Sequence, residues 1–199
     1  MDETNGVVRP DHKLILELVP EGSSVLDLGC GEGDLLELLV KEKNVKARGI
    51  EIDEQAIYKC VAKGLSVFHG DIDSGLSEYR DGSFDLVILN QSLQQIRHLD
   101  LVLQDALRVG KKVIVGFPNF AYFRARLRLG LKGKVPVTKS LPYNWYDTPN
   151  LHFFSIADFL DYCREKGIRV EKGVYQGRKI RVYLFPNAFA DIGIFLLSK

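Results

Sequence analysis

Apolar and polar positions alternate in blocks along the first 118 residues of the chain. Five short apolar runs are separated by stretches in which leucine, isoleucine and valine recur every three or four residues. A short apolar run is typical of a buried strand, and the wider spacing is typical of an amphipathic helix. The runs lie at 25–28, 47–52, 65–69, 86–89 and 113–117. This order predicts an α/β fold in which a doubly wound parallel sheet carries helices on both faces.

The same patterning continues to the end of the chain and predicts a single domain over residues 1–199. Residues 1–10 are expected to be a loose arm, and Asp11 is expected to cap the helix that follows. Two later strands are predicted at 168–175 and 192–197, the second of them antiparallel, which is a common way to complete such a sheet. The predicted helices lie around 11–19, 34–40, 54–63, 100–109, 120–130 and 155–166.

The glycine-rich turn in Val25–Gly33, VLDLGCGEG, indicates a ligand that lies against the backbone. Its G-x-G-x-G spacing departs from the G-x-G-x-x-G of dinucleotide sites. Asp27, Glu32 and Asp34 place negative charge where a pyrophosphate would need the positive end of a helix. Acids here suit an ammonium or sulfonium group, so we predict S-adenosylmethionine rather than a turn that binds nothing. The residues assigned to it in this stretch are Asp27, Gly29, Gly31 and Gly33.

Acids at the ends of the next two strands complete the predicted cofactor site. Glu51 ends the second strand, where a carboxylate can accept hydrogen bonds from ribose hydroxyls, although it could also be an exposed strand-end acid. Asp53 is the weaker candidate and could instead cap the helix after it. After the third strand, Asp71 or the backbone of Ile72 could bind adenine, but Asp71 could equally be a turn residue.

Neutral polar residues follow the fourth strand, with Asn90 and Gln91 first among them. Ligands bind at the strand ends of open α/β sheets, so both are candidate acceptor-side residues. Neither residue is an evident general base. An aromatic, proline-rich loop over 131–154 is predicted to cover the site or to pack as a surface loop. It adds Tyr143 and His152 as catalytic candidates, although a lone loop histidine is more often structural.

Charge and cysteine content narrow the range of partners. The net charge of +1 gives no general argument for nucleic acid or an anionic membrane. A basic helix with Arg124, Arg126 and Arg128 could contact nucleic acid or an acidic protein, but a solvated helix face is the simpler interpretation. The three cysteines include no C-x-x-C pair, so no metal site is predicted. With no apolar span or secretory signal in the sequence, the expected location is the cytoplasm.

Several motifs together resemble known families. VLDLGCGEG, the GIEID end of the second strand and GDI are similar to the class I S-adenosylmethionine-dependent methyltransferases. LNQSLQQI, VGFPNFAYFRARLRLGLKGKVPV and LPYNWYDTPNLHFFSIADF resemble the MetW family of methionine biosynthesis proteins, from about Arg9 onward. The resemblance implies a Rossmann-like sheet of seven strands with the last antiparallel. It also implies an S-adenosylmethionine site formed by Asp27, Gly29, Gly31, Gly33, Glu51, Asp71, Ile72 and Asn90. It also implies a role in L-methionine biosynthesis alongside a homoserine O-acyltransferase, but it supplies no methyl acceptor and no catalytic assignment.

Two functions remain open at this point. The chain could be a methyltransferase acting on a small molecule, since transfer from a sulfonium depends mainly on positioning. It could instead be a non-catalytic regulatory partner or S-adenosylmethionine sensor of the acyltransferase, docking through its basic helix and aromatic loop. RNA methylation is a weaker alternative. We favour a methyltransferase-fold protein of methionine biosynthesis whose own chemistry the sequence leaves open.

Overall fold

A computed structural model describes residues 8–178 and 180–199 of the protein. Its strands are β1 (Ser24–Leu28), β2 (Lys46–Glu51), β3 (Val67–His69), β4 (Phe84–Asn90), β5 (Gly110–Pro118), β6 (Arg169–Gln176) and β7 (Ile192–Ser198). They form one seven-stranded sheet in the order β3-β2-β1-β4-β5-β7-β6. Strand β7 is antiparallel to β5 and β6, and the other pairs are parallel. The predicted α/β sheet of seven strands with the last antiparallel is therefore confirmed.

Helices connect the strands and cover both faces of the sheet. They are α1 (Pro10–Leu18), α2 (Asp34–Lys43), α3 (Glu54–Ala62), α4 (Leu99–Val109), α5 (Phe123–Lys132), α6 (Ile156–Glu165) and α7 (Pro186–Phe189). Helix α7 and two 3₁₀ turns, Ile72–Ser74 and Leu93–Gln95, were not predicted, because one turn is too short to show a helical period. In the described part of the chain the longest helix has 11 residues, and no helix there is long and apolar enough to span a membrane.

Two apolar layers hold the helices against the sheet. Val87 and Leu89 of β4 belong to the layer that includes α4 and α6. Leu86 and Ile88 of the same strand belong to the layer that includes α1 and α2. Successive strand residues point to opposite faces, so a strand covered on both sides is apolar throughout. The ring of Phe117 lies between 4.6 and 5.6 Å from three other phenylalanine rings and fills the layer beneath α6.

Three predicted boundaries differ from the structure. Helix α1 begins at Pro10, a residue that suits the first helical position, so the predicted arm over 1–10 extends too far and Asp11 lies inside the first turn. Residues 1–7 of that arm lie outside the described residues. Helix α5 begins at Phe123 rather than 120, because the Asn119 side chain accepts the backbone N–H of Ala121 and holds a turn there. It continues to Lys132, so the predicted loop over 131–154 begins two residues later.

Candidate functional site at the carboxyl edge of the sheet

A cavity of about 960 Å³ lies at the carboxyl ends of β1, β2 and β4. After β3 at one edge, the chain crosses to the other side of β1 to form β4, which makes the ends of β1 and β4 a topological switch point. Open α/β sheets bind ligands in the crevice at such a point. Seven of the eight residues predicted to bind the cofactor line the cavity: Asp27, Gly29, Gly31, Glu51, Asp71, Ile72 and Asn90.

The three glycines of the turn have different surroundings. All three have positive φ, which favours glycine. A Cβ on Gly31 would meet nothing within 4 Å, so the backbone here borders the open cavity. A Cβ on Gly29 would lie 3.1 Å from the Ser92 Cβ. Gly33 is not among the lining residues, and its Cβ would lie 2.5 Å from Leu65 Cδ1, so it allows α2 to pack closely on α3 and its connection to β3.

Glu51 ties the glycine turn to the end of β2. Its Oε2 accepts the backbone N–H of Gly31 at 2.7 Å, and its Oε1 accepts those of Ile52 and Asp53 at 2.8 and 3.0 Å. A carboxylate offers about four acceptor positions, so these three bonds leave room for a further donor. Asp53 caps α3 by accepting from the backbone N–H of Gln55 and does not line the cavity.

Asp27 is a buried carboxyl group at the base of the cavity, with 3% of its surface exposed. Burial, assisted by the nearby charge of Glu51, raises the pKa of Asp27 to about 7. Burial and the Glu51 charge both raise this pKa, and no hydrogen bond from the described residues is among the causes that act on it. A positively charged ligand group would favour its ionised form, because an opposite charge offsets the loss of hydration.

Asp71 and Ile72 form the wall of the cavity beyond β3. Asp71 is exposed, and its Oδ1 accepts the backbone N–H of Asp73, so it caps the 3₁₀ turn. The Asp73 carboxylate in turn accepts the backbone N–H groups of Arg97 and His98, each at 2.8 Å. This links the wall to the segment after β4, which also lines the cavity.

The four catalytic candidates do not all reach the cavity. Asn90, Gln91 and Tyr143 line it, whereas His152 does not. The His152 Nε2 lies 2.8 Å from the carbonyl oxygen of Ile96, and its backbone N–H donates to the Gln94 carbonyl. His152 therefore anchors the aromatic loop to the segment after β4, which is a structural contact rather than a contact with the cavity.

Polar atoms without a protein partner are concentrated at the end of β4. Among the described residues, the buried atoms Asn90 Oδ1, Gln91 Nε2 and Ser92 Oγ have no hydrogen-bond partner, and all three residues line the cavity. Gln91 also has a φ of +62°, a strained conformation for a residue other than glycine. Such atoms are where a bound ligand or water completes the hydrogen bonding.

Three residues at the start of α1 also contribute to the site and were missed by the sequence prediction. Asp11 is buried and accepts from Arg9 Nη2 at 2.6 Å and from Asn90 Nδ2 at 2.9 Å. Burial raises its pKa, but the bonds from Arg9 and Asn90 outweigh this and hold it below the ordinary value. Burial lowers the pKa of His12, which places a neutral imidazole on the cavity wall. The polar residues Arg9, Asp11 and His12, at the start of the helix that precedes the glycine strand, are the signal that could have revealed them.

Comparison with known sequences gives matches over nearly the whole chain. A family model described as methionine biosynthesis protein MetW matches residues 9–197. The bifunctional methionine biosynthesis protein MetXA/MetW of Rhodopirellula baltica is 34% identical over 202 residues, covering 95% of this chain and 32% of that protein. A ribosomal protein L11 methyltransferase of Burkholderia vietnamiensis is 32% identical over 98 residues, 49% of this chain and 32% of that protein. The chain thus spans about a third of the length of these curated relatives.

Solved structures show the same fold at low sequence identity. An S-adenosylmethionine-dependent methyltransferase of Thermotoga maritima, described as a possible histamine N-methyltransferase, has a TM-score of 0.71 and 22% identity over 95% of this chain and 87% of that one. A methyltransferase of Archaeoglobus fulgidus that depends on the same cofactor has a TM-score of 0.63 and 16% identity, covering 94% of each chain. At these identities the likeness establishes the Rossmann-like methyltransferase fold.

Proposed function

Because the chain belongs to the MetW family of methionine biosynthesis proteins, we propose that it binds S-adenosylmethionine and acts in L-methionine biosynthesis beside a homoserine O-acyltransferase. One observation carries the cofactor part of this proposal. A single cavity at the switch point joins an open glycine backbone at Gly31, a buried acid at Asp27 and a strand-end acid at Glu51.

The residues present fit the chemistry of this cofactor. In the proposed arrangement the Asp27 carboxylate faces the positive charge of the methionyl ammonium, and Glu51 accepts hydrogen bonds from the ribose hydroxyls. Asp71 and Ile72 line the cavity beyond the end of β3, and in the proposed arrangement Asp71 and the Ile72 backbone bind the adenine ring. A volume of about 960 Å³ is at the upper end of small-molecule sites, so a second small molecule also fits.

Replacing Glu51 with alanine tests the cofactor site. Hydrogen bonds to a charged group contribute about 1.5–3 kcal/mol each, so we expect Glu51→Ala to weaken S-adenosylmethionine binding by about 10-fold to 100-fold in titration calorimetry. Glu42→Ala is a matched control, because Glu42 is an exposed residue of α2 that does not line the cavity. Unchanged affinity in Glu51→Ala would remove Glu51 from the site, and no binding by the wild type would overturn the cofactor proposal.

A methyltransferase activity is the first candidate for what the chain does with the cofactor. Asn90, Gln91 and Tyr143 would hold the methyl acceptor, since they line the cavity and two of them have unpaired polar atoms. His12, with its lowered pKa, is the neutral imidazole that could accept a proton from a weakly nucleophilic acceptor. Incubation with methyl-labelled cofactor and a panel of small amines, alcohols and carboxylates tests this, with His12→Ala as the comparison.

A regulatory role is the second candidate, and a specific observation favours it. The Rhodopirellula baltica relative joins MetXA and MetW in one bifunctional protein, and we take the MetXA part as the homoserine O-acyltransferase. Units that are fused in one organism are often associated as separate chains in another. In this role the chain would bind S-adenosylmethionine, which is made from methionine, and change the rate of the acyltransferase.

The rate of homoserine acylation separates the two candidates. It should be measured with the acyltransferase alone and with this chain added, each with and without S-adenosylmethionine. A rate that depends on the chain supports the partnership, and an added dependence on the cofactor supports sensing. An indifferent rate removes the partner role and leaves the methyltransferase. Salt-sensitive RNA binding by the chain would instead favour the weaker alternative of RNA methylation.

A further inference from the structure

Helix α5 has almost no support from the rest of the molecule. Of its 10 residues, only Ala125 is buried, while Leu127, Leu129 and Leu131 are 51%, 48% and 79% exposed. A helix this short is marginal in water by itself, and most helices in proteins are stabilised by packing an apolar face. Leu127 and Leu131 are four residues apart and share a side of α5 with Phe123, so they indicate an apolar side that another molecule covers.

The segment between β6 and β7 has the same character. Tyr183, Leu184 and Phe185 are between 74% and 80% exposed, and Ile180 is 73% exposed. Phe185 also has a φ of +50°, which is unusual for a residue with a large side chain. Monomeric proteins rarely expose contiguous apolar patches of more than a few hundred Å², and larger patches mark interaction sites.

These two elements form one continuous surface. The rings of Phe123 and Phe189 are 6.1 Å apart, and Arg126 Nη2 donates to the Asn187 carbonyl at 3.2 Å. A groove of about 800 Å³ lies between them, lined by Arg124 of α5 and by residues of the segment between β6 and β7. We call the exposed side chains of this surface the apolar-basic face: Arg124, Leu127, Leu131, Ile180, Tyr183, Leu184, Phe185 and Phe189.

The charge of this region is mainly positive, although Glu17 of α1 reaches it and pairs with Arg181. Residues 120–146 contain lysine and arginine but no aspartate or glutamate, and 172–190 contain no acid either. The whole chain has a net charge of only +1, so the acids are concentrated elsewhere. An apolar surface surrounded by positive charge is complementary to a protein surface with an apolar centre and an acidic rim.

We propose that the apolar-basic face is the docking surface for the homoserine O-acyltransferase. The inference rests on the proposed partnership and gives it a location. The bifunctional relative shows that a MetXA unit and a MetW unit share one chain in that organism, where tethering keeps the effective concentration of each for the other high. Where the two units are separate chains, a permanent apolar surface such as this face takes the place of the tether.

The face also lies close to the cofactor cavity, which suits a regulatory contact. Strand β5 ends, and strand β7 begins, at the same edge of the sheet as the cavity. The connection that carries α5 lies beside these two strand ends. The aromatic loop follows α5 and reaches the cavity through Tyr143, while its Trp145 and Tyr146 are 74% and 71% exposed. The loop thus connects α5, which carries part of the face, to the cavity.

Substitutions of strongly exposed residues on the face and on α3 test where the acyltransferase docks. Tyr183→Ser and Leu131→Ser remove apolar side chains from the face, whereas Tyr58→Ser and Val61→Ser remove side chains that are 72% and 59% exposed on α3. Binding of each purified variant to the acyltransferase of the same organism is measured by biolayer interferometry at low and high salt. Thermal melts and titration with S-adenosylmethionine show that each variant is folded.

We expect Tyr183→Ser and Leu131→Ser to weaken binding at least tenfold each and the α3 variants to bind like the wild type. Binding should also weaken as salt rises, and Arg124→Glu should reduce that salt dependence. If the wild type binds but the face variants bind equally well, or if only the α3 variants lose binding, the location is wrong and the partnership stands. If the wild type does not bind the acyltransferase, both the partnership and its proposed location are wrong. Self-association, or RNA binding, that is lost in the face variants while acyltransferase binding is unchanged would also overturn the inference.

Discussion

Asp27 and Glu51 lie in one cavity but have different hydrogen-bonding environments. Glu51 already accepts three backbone N–H groups, whereas burial leaves Asp27 with a pKa of about 7. Hydrogen bonds to a carboxylate favour its charged form, and burial without them favours the neutral form. In the absence of a cation, ionised Asp27 is therefore a source of instability that a ligand ammonium would relieve.

Asp27→Asn should separate the effect of Asp27 on stability from its effect on cofactor binding. Since the folded-state pKa of Asp27 is raised from its ordinary value of 3.8 to about 7, the folded protein binds the proton more tightly, so stability falls as pH rises between these two values and is level above them. The stability of Asp27→Asn relative to the wild type should therefore increase from pH 5 to pH 8, by at least about 1 kcal/mol, or about 2–4 °C.

The same substitution should weaken S-adenosylmethionine binding at pH 8 in calorimetry, because the neutral amide cannot balance an ammonium. Scanning calorimetry at the two pH values provides the stability comparison. An identical pH trend in the wild type and Asp27→Asn would show that Asp27 titrates normally, and an unchanged affinity would remove it from the cofactor site.

In the glycine turn between β1 and α2, one part of the backbone faces the cavity and another part packs against α3. Gly31 borders open space, whereas Gly33 lies against Leu65 and the Cys60 sulfur. The two glycines therefore need the absence of a side chain for different reasons, although the sequence pattern treats them alike. One explanation is ligand approach, and the other is the packing of two helices.

Gly31→Ala should mainly reduce cofactor affinity, and Gly33→Ala should mainly reduce stability. Left-handed backbone costs an alanine about 1–2 kcal/mol at either position. Gly33→Ala adds overpacking and should lose about 2–4 kcal/mol of stability in denaturant unfolding. Gly31→Ala should lose less stability but most of the affinity for S-adenosylmethionine, measured by calorimetry. Equal losses of stability, with affinity retained in Gly31→Ala, would contradict the assignment of Gly31 to the ligand.

The elements that were predicted correctly are those that a local pattern determines. The strand, turn and helix around Gly31 lie within 20 residues, so their spacing alone indicated a ligand. The pattern that predicts a helix over 155–166 is likewise local, and the structure shows this helix as α6, with a capping box between Ser155 and Asp158 at its start. His12 was missed because its place on the cavity wall depends on α1 contacting the end of β4 through Asp11, far away in sequence.

For the whole molecule, ligand binding to the folded state should appear as a rise in melting temperature. At a cofactor concentration 100 times the dissociation constant, binding adds about 2.7 kcal/mol to stability. For a domain of this size, that corresponds to roughly 5–10 °C. Thermal unfolding with and without S-adenosylmethionine measures this, with Glu51→Ala as the comparison at the same concentration. A wild-type melting temperature that does not change would contradict cofactor binding.

The position of β7 has a consequence for the chain during its synthesis. Strand β7 lies between β5 and β6 but is made after both, so β6 has no neighbour in the sheet until residues 192–198 emerge from the ribosome. At about 5–20 residues per second, the edge of β5 then stays open for a time on the order of seconds. An unpaired apolar strand edge is a template for aggregation, so the nascent chain depends on chaperones most in this interval.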